Sequence, residues 1–548
     1  METWKKWTLA AAAVLVVAGG TRAAGWWGVD KSKDKTTLNY GLQSEIQTLD
    51  LSKGTDQYSN TIAGNTGSNL LRMDANGKPA PDLAKSIDVS EDGKTYTAHL
   101  RSGLKWSDGS SLTAKDFVYS WQRIVDPKTA SQYAYLASGV QNADDIMAGK
   151  KPVSDLGVSA DGDTITFKLD NPMPQFESLL TFANFMPQKQ SLVEKQGSKY
   201  GTTAEKQLYS GPYKLEGWNG TNNKFKMVKN DNYWDAKNVK TKTVNWQVVK
   251  KPETMVELYK KGEIDRAGIY TSPEIYKANK NNKDVTKVPQ AASTYLEYNQ
   301  TGKNKFLAND KIRQALNMAT NRAEATKQAS GGIFDTATGL VSRNLTKAAD
   351  GQDLAAFVNP GYEYDKDKAS QLFAEGLKEV GETKMDVTLL GDADTPITKN
   401  YVDYLKQAWE SNLKGISVTE KFVPFKQRIQ DQQNQNFDIV LNNWNGDYPD
   451  GSTFYDLFKS PTAGNNDGQF KNQTYIDAIT KADGSDANDP VARSNDFKTA
   501  EAALKDQANI NPLGSWNAYY LVRPNVKNVV MNSTGLPIDL THAYRSDK

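Results

Sequence analysis

The chain has 548 residues, of which 38% are hydrophobic and 10% aromatic, and this length predicts two to four globular domains because it exceeds what one core can organise. Its 67 basic and 65 acidic residues leave a formal charge of +2, which argues against nucleic acid or an anionic membrane as the main partner. There is no cysteine, so disulfides, thiol catalysis and thiolate metal sites are excluded.

The amino terminus has the pattern of an export signal. Lys5 and Lys6 precede an apolar run at residues 9–18, which is too short to favour a membrane span. We predict a signal peptide or an uncleaved anchor over residues 1–24, followed by a charged tether over residues 25–36. No lipobox cysteine follows the run, which excludes the usual lipid attachment of bacterial lipoproteins. The protein is therefore expected outside the cytoplasm, at the cell surface or in the periplasm.

Predicted strands and helices alternate along the rest of the chain. Short runs of strand-forming residues next to turn residues predict strands at residues 38–42, 95–100, 164–169, 224–228 and 243–249. Apolar residues at helical spacing predict one helix that begins at a capping box of Thr113 and Asp116. They predict further helices near residues 255–259, 312–319 and 399–413. Because the alternation shows no internal repeat, we predict an α/β architecture.

Few residues are suited to catalysis. His99 lies on the polar face of a predicted strand, and His542 has no partner motif. No nucleophile elbow, zinc-binding helix or phosphate-binding loop occurs, and the acidic residues 483–489 lack EF-hand spacing. Carboxylate pairs suited to glycoside hydrolysis arise by chance among 65 acidic residues, so they are a weak signal. We therefore predict a binding protein without enzyme activity, cofactor or metal site.

Residues 437–458 give the strongest indication of a binding site. Ile439, Val440 and Leu441 predict a short buried strand. The residues that follow it are mostly polar, and they are Asn442, Asn443, Trp444, Asn445, Gly446 and Asp447. Ligands of open α/β sheets bind beyond the carboxyl ends of strands, where this loop is expected. A structural role for Trp444 and ligand contact are both open, since core aromatics are uncommon in so polar a loop.

Several segments, in this order and spacing, resemble the oligopeptide-binding proteins of bacterial ABC peptide importers, which are extracellular solute-binding proteins of family 5. They are residues 81–85, 92–101, 104–109, 112–123, 126–127, 211–215, 230–234, 262–265, 313–322 and 437–458. The resemblance runs from about residue 36 to residue 545, and no single segment is diagnostic.

The resemblance implies a three-domain, two-lobed fold of the type II periplasmic-binding-protein kind, which closes over its ligand by hinge motion. Lobe I is expected to combine residues 37–58, 182–300 and 521–548. Residues 59–181 are expected to form a small domain attached to lobe I, and residues 301–520 to form lobe II.

The resemblance also implies that an extended peptide adds as a strand between the lobes, with its α-amine paired to Asp447. The alternative for Asp447 is an exposed loop carboxylate. The backbone of Asn443, Trp444 and Asn445 is expected to bind one edge of the peptide, and this is the first flank. The second flank is the segment of Glu45, Ile46 and Gln47, which is expected to bind the other edge. Asn299 is a weaker candidate for the wall of the pocket.

One departure from the family pattern concerns the ligand's carboxyl end. Family members that prefer very short peptides carry arginines in and just before the strand that leads to this loop, and Gln432 and Leu441 stand at those places here. We therefore expect a preference for longer peptides, or a carboxylate contact from elsewhere.

The favoured function is capture of oligopeptides outside the cytoplasm and their delivery to the membrane permease subunits of an ABC importer, by a protein expected to be a monomer. A peptide-pheromone receptor is a variant that the sequence does not separate from it. A second hypothesis keeps the fold with a non-peptide solute, such as an oligosaccharide or a metal chelate. A secreted hydrolase ranks last because no catalytic constellation is present.

Overall fold

The computed structural model describes residues 35–460 and 465–547. The predicted signal or anchor segment at residues 1–24 lies outside the described residues, as does most of the predicted tether. Short 3₁₀ turns join many of the longer elements.

The strands, numbered in chain order, are β1 Thr37–Leu42, β2 Leu71–Met73, β3 Pro79–Pro81, β4 Ala84–Val89, β5 Thr95–Leu100, β6 Val158–Asp161, β7 Thr164–Lys168, β8 Tyr213–Glu216, β9 Lys224–Lys229, β10 Thr243–Val248, β11 Arg266–Gly268, β12 Val285–Tyr298, β13 Asp335–Thr336, β14 Met385–Asp392, β15 Ile416–Val423, β16 Ile439–Asn445, β17 Ile510–Val522, β18 Val526–Lys527, β19 Val530–Met531, β20 Ile538–Asp539 and β21 Tyr544–Arg545.

The α-helices are α1 Gln57–Thr66, α2 Ala114–Val125, α3 Ala143–Met147, α4 Phe176–Leu179, α5 Gln190–Gln196, α6 Pro252–Lys260, α7 Pro273–Asn279, α8 Asp310–Met318, α9 Arg322–Ser330, α10 Leu354–Phe357, α11 Lys366–Glu379, α12 Pro396–Asn412, α13 Phe425–Gln433, α14 Ser452–Tyr455, α15 Gln473–Ala482 and α16 Pro490–Asp506. The strands and helices predicted in chain order are confirmed within one to three residues at most ends. The α/β mixture is confirmed with them.

One four-stranded sheet has the order β1-β10-β9-β8, with β1 parallel to β10 and the other pairs antiparallel. Its inward side chains alternate with outward ones, as the period of a half-buried strand requires. Trp246 of β10 and Tyr40 of β1 pack together in its core with their ring centroids 5.4 Å apart. The parallel pair brings the start of the described chain beside a segment 206 positions later, since Thr37 pairs with Thr243.

A second four-stranded sheet, β4-β5-β7-β6, is antiparallel and packs against α2. The capping box of Thr113 and Asp116 begins this helix, as the sequence predicts. Trp121 of α2 is fully buried and stacks on Phe185 at a centroid distance of 4.0 Å. His99 pairs with Asp88 at 2.9 Å on the outer face, which agrees with its position on the polar face of the predicted strand.

The largest sheet has the order β11-β17-β12-β16-β14-β15, with β13 added beside β17. β12 and β17 are its long central strands, and β12 pairs with β17 and with β16. The ladder between β12 and β17 is interrupted after Pro289, which has no N–H to donate. The last eight residues of β12 and the first four of β16 are buried, as expected for central strands covered on both faces.

β16 confirms the predicted buried strand and extends beyond it. The sequence predicts that the loop begins at Asn442, whereas the strand continues through Asn445 and pairs residues 442–445 with residues 292–295 of β12. Tertiary pairing thus outweighs the low strand propensity of asparagine.

Among the described helices, none combines the length and the hydrophobicity of a membrane-spanning segment.

Candidate ligand-binding cavity

A cavity of about 680 Å³ lies at the carboxyl end of β16. Its lining combines residues from the end of β16 and the following loop, from α13, from residues 132–135 and from Trp516 of β17. Segments that are distant in the chain therefore meet at one concave surface. Its size and mixed aromatic and polar lining suit a small organic ligand.

Asp447 lies in the lining and is half-buried. Its Oδ2 accepts a hydrogen bond of 2.9 Å from the phenol of Tyr135, and its backbone N–H donates to Thr453 Oγ1 at 3.0 Å. Burial raises the pKa of Asp447 to about 6, and the hydrogen bond from Tyr135 opposes this rise. Because no described lysine or arginine pairs with it, Asp447 offers a desolvated carboxylate to a cationic group.

Trp444 forms part of the wall beside Asp447. Its indole Nε1 donates to the backbone oxygen of Thr453 at 2.7 Å, and its ring packs against the core that includes Phe454. Gly446 lets the backbone pass close to this core, since a Cβ there would lie 2.9 Å from a Thr453 methyl group. The loop is therefore held in place by the core beneath it.

β16 has one paired edge and one open edge near the cavity. Its residues 439–445 all pair with β12, but on the other side β14 pairs only with Ile439 and Val440. The part of the chain that the structure describes has no strand beside residues 441–445 on that side. The Asn443 N–H donates to Asn442 Oδ1 at 2.9 Å rather than to another strand. Backbone groups of this edge are therefore placed to receive an added strand.

Arg428 of α13 adds a cationic group to the lining. Its Nη1 donates to the side-chain oxygens of Gln432 at 2.6 Å and Asn442 at 3.1 Å. Glu297 accepts from Gln432 Nε2 at 3.2 Å and from the Gly468 N–H at 2.7 Å. Burial raises the pKa of Glu297 to about 8 and lowers that of Arg428.

The family model described as "Bacterial extracellular solute-binding proteins, family 5 Middle" matches residues 78–466. The chain belongs to this family. It is 42% identical to the "Dipeptide-binding protein" of Lactococcus lactis subsp. cremoris over 526 residues, which cover 94% of this chain and 95% of the relative. It is 30% identical to the "Oligopeptide-binding protein OppA" of Bacillus subtilis, with 94% of each chain covered.

Solved structures agree with this family assignment. The "Listeria monocytogenes OppA bound to peptide" superposes with a TM-score of 0.77 at 33% identity, covering 93% of this chain and 99% of that one. The substrate-binding domain of an oligopeptide ABC transporter from Bacillus anthracis superposes with a TM-score of 0.78 at 35% identity, covering 93% and 99%. This family 5 protein therefore has the two-lobed α/β fold of periplasmic binding proteins, as the resemblance implied.

The structure brings together four of the predicted site residues in this family 5 protein. Asn443, Trp444, Asn445 and Asp447 all line the cavity. Gln432, which stands where some relatives carry arginine, lines it too. Leu441 is buried and lies outside the lining.

The second predicted flank and the predicted wall residue lie elsewhere. Glu45 pairs with Lys250 at 2.6 Å, Ile46 is buried in the core of the first sheet, and Gln47 lies on the surface. Asn299 is fully buried and donates to the backbone oxygen of Phe437 at 2.9 Å, so its side chain fixes a turn instead of facing the cavity. None of these four residues lines the cavity.

Tyr135 and Arg428 are among the lining residues that sequence reasoning missed. Tyr135 follows a second tyrosine in a short polar segment, which is a weak aromatic signal for a binding surface. Arg428 precedes Gln432 by four positions, so helical spacing would place the two side chains on one face. The helix itself was not predicted, because its sequence has few apolar residues.

Proposed function

We propose that this protein captures oligopeptides outside the cytoplasm and delivers them to the permease subunits of an ABC importer. Family membership and the names of its relatives, which are dipeptide- and oligopeptide-binding proteins, support this function. The observation that carries it is the carboxylate of Asp447, which has no cationic partner among the described residues and lies in a cavity beside an open strand edge. A peptide supplies both an ammonium group and a strand.

In this proposal the ligand's α-ammonium replaces Tyr135 as the main partner of Asp447. An enclosed ammonium without a counter-charge is destabilised by several kcal/mol, and a hydrogen-bonded carboxylate removes most of this penalty. The raised pKa of Asp447 indicates that the carboxylate gains from such a partner as well. The pair therefore sets where the peptide begins.

The peptide backbone is expected to continue along residues 443–445 of β16. Each main-chain hydrogen bond contributes about 0.5–1.5 kcal/mol net, so these bonds fix direction and register more than affinity. Recognition of backbone rather than side chains lets one site accept many sequences. Trp444 supplies apolar wall area beside this path.

The proposed domain division places Glu45, Ile46 and Gln47 on lobe I and β16 on lobe II. We propose that lobe closure brings this second flank to the peptide and releases Glu45 from Lys250. β12 ends at Tyr298, next to the proposed boundary after residue 300, and β17 crosses the boundary after residue 520, so these two paired strands are the proposed hinge. We also propose that the protein acts as a monomer and carries out no reaction on its ligand.

Mass spectrometry of small molecules released by denaturing the purified protein tests the ligand class. A heterogeneous set of peptides is the expected result, and a single sugar or metal chelate would overturn the proposal. Incubation of the protein with a bound peptide for hours should return the peptide intact, whereas cleavage would identify a hydrolase.

Titration calorimetry with Asp447→Asn tests the amine contact. The parent should bind a free peptide at least about tenfold more tightly than the same peptide N-acetylated, because acetylation removes the charge. Asp447→Asn should bind the two forms alike. Asp394→Asn is the matched control, since Asp394 is another carboxylate of the lining that accepts a backbone N–H from Phe425. The contact is disproved if the control loses the discrimination and Asp447→Asn keeps it.

A further inference from the structure

Arg428 is a buried guanidinium that lines the cavity with part of its hydrogen-bonding capacity unused. Its side chain is 1% exposed, and its Nε has no hydrogen-bond partner in the described part of the chain. Its Nη1 is held by the amide oxygens of Gln432 and Asn442. A guanidinium carries five N–H donors, so an unused Nε in a buried group is a site for an acceptor.

The carboxyl groups around Arg428 do not provide a hydrogen-bonded counter-ion. The nearest is Asp392, whose Oδ2 lies 3.7 Å from Nε, which is beyond hydrogen-bond distance. Glu297 is held mainly neutral at pH 7 because burial raises its pKa to about 8. Asp467 also lines the cavity, and it stabilises the charge of Arg428 by electrostatic attraction alone. A buried cation in this position is stabilised by an anion that makes direct hydrogen bonds.

We propose that Arg428 binds a carboxylate of the ligand through its Nε edge. Nε and one Nη of a guanidinium form a fork that fits both oxygens of a carboxylate. Gln432 and Asn442 hold the other Nη, so they orient the fork. This inference rests on the proposed peptide-binding function and adds a second charged contact to the one at Asp447.

The position of Arg428 limits the length of ligand that can use both contacts. Arg428 touches Asn442, and Asp447 follows Asn442 by five residues, a chain length of at most about 17 Å at the rise of a strand. An extended peptide of about three to five residues spans such a distance. The carboxylate is either the carboxyl terminus of a short peptide or an acidic side chain of a longer one. Thus the missing arginines at Gln432 and Leu441 do not remove a carboxylate contact.

Calorimetry on the full-length chain tests the proposal with three peptides. They are trialanine as the free acid, trialanine as the carboxyl-terminal amide, and the amide of Ala-Ala-Glu. The parent should bind the acid at least about tenfold more tightly than its amide. A tenfold difference in affinity corresponds to one charge-assisted hydrogen-bonded contact. Recovery of tight binding by the Ala-Ala-Glu amide would assign the contact to a side chain, and no recovery would assign it to the terminus.

Variants then connect this discrimination to Arg428. Arg428→Gln should bind the acid and amide of trialanine alike, and Arg428→Lys should retain part of the difference because it keeps the charge. Lys426→Gln is the matched control, since it removes a positive charge from the exposed side of the same helix and should leave the discrimination unchanged.

The outcomes separate this inference from the proposed function. Equal binding of the acid and all amides by the parent would overturn the contact at Arg428 while leaving peptide binding intact, and it needs no variant to fold. Full discrimination by a folded Arg428→Gln would overturn it as well. Failure of the parent to bind any peptide, including longer ones, would overturn the proposed function itself.

Discussion

The phenol of Tyr135 donates a hydrogen bond of 2.9 Å to the carboxylate of Asp447, although 312 positions separate the two residues in the chain. The contact joins the region of the second four-stranded sheet to the loop after β16. It gives the carboxylate of Asp447 an uncharged hydrogen-bond donor. A peptide ammonium is a stronger partner for the same oxygen atoms because it adds charge.

Replacing Tyr135 with phenylalanine should raise the pKa of Asp447. The hydrogen bond from Tyr135 favours the ionised carboxylate, and its loss leaves burial unopposed. The acid limb of peptide binding should therefore move to higher pH, while the ring that lines the cavity stays in place. Calorimetry from pH 5 to pH 8 measures the shift. A limb that stays in place, or moves to lower pH, would contradict the role assigned to Tyr135.

Peptide binding by the parent should have its own pH dependence. Burial raises the pKa of Asp447 to about 6, and the positive charge of a bound ammonium group lowers this pKa in the complex. Because the complex requires the carboxylate, affinity should be highest between about pH 7 and pH 8 and fall by up to about tenfold per pH unit below pH 6. It should also fall above about pH 8, where a peptide α-amine loses its proton. The measurement is the dissociation constant at half-unit steps of pH.

Asp467 requires a control in this experiment because burial raises its pKa to about 6 as well. Asp447→Asn should abolish the acid limb, and Asp467→Asn should leave it in place. The reverse pattern would assign the titration to Asp467 and contradict the amine contact.

Much of the fold was predictable because it rests on local patterns. The alternation in β5 and the capping box of α2 are both visible in the sequence, and both are present in the structure. The continuation of β16 through Asn445 was not predictable in this way. It depends on backbone pairing with β12, which begins more than 140 positions earlier. Pairing between distant segments leaves no periodic pattern in either one.

The candidate site also has a part that the sequence predicts and a part that it does not. The loop with Trp444 and Asp447 could be found from its composition and from the family resemblance, and both residues line the cavity. Tyr135 and Arg428 reach the cavity only through tertiary packing. Asn299, which the family resemblance suggested for the cavity wall, lies outside the lining. Its amide instead satisfies buried backbone oxygens, a need that the sequence does not reveal.

Gly446→Ala should weaken peptide binding while the protein remains folded. A Cβ at this position would lie 2.9 Å from Thr453 Cγ2 and 3.1 Å from the buried ring of Phe454, so the loop must move away from the core. Asp447 is the next residue, and a displacement of about 1 Å is enough to impair a charged contact. We expect a loss of about tenfold or more in affinity, with an unchanged circular dichroism spectrum.

Gly381→Ala is the control for this change, because this exposed glycine lies away from the cavity and has no described atom within 4 Å of its added Cβ. Its positive φ of 74° makes it a demanding control for backbone strain. Unaltered binding by Gly446→Ala would show that the loop adapts and that Asp447 does not need its present position.

Asp265 connects the carboxyl-terminal segment to the first sheet, and its replacement should lower stability. Both of its carboxylate oxygens lie 2.8 Å from Nη2 of Arg545, and Oδ2 also accepts the Asn39 N–H at 2.7 Å. Asp265 and Arg545 are both buried, so Asp265→Asn leaves an uncompensated cation inside the protein. Breaking such a pair destabilises a protein by about 3–5 kcal/mol. Thermal unfolding should therefore begin several degrees lower.

Glu257→Gln is the control for this change. It removes the exposed pair with Lys261 and should leave unfolding almost unchanged, because solvent screens that pair. Equal effects of the two variants would show that burial of the Asp265–Arg545 pair does not matter for stability.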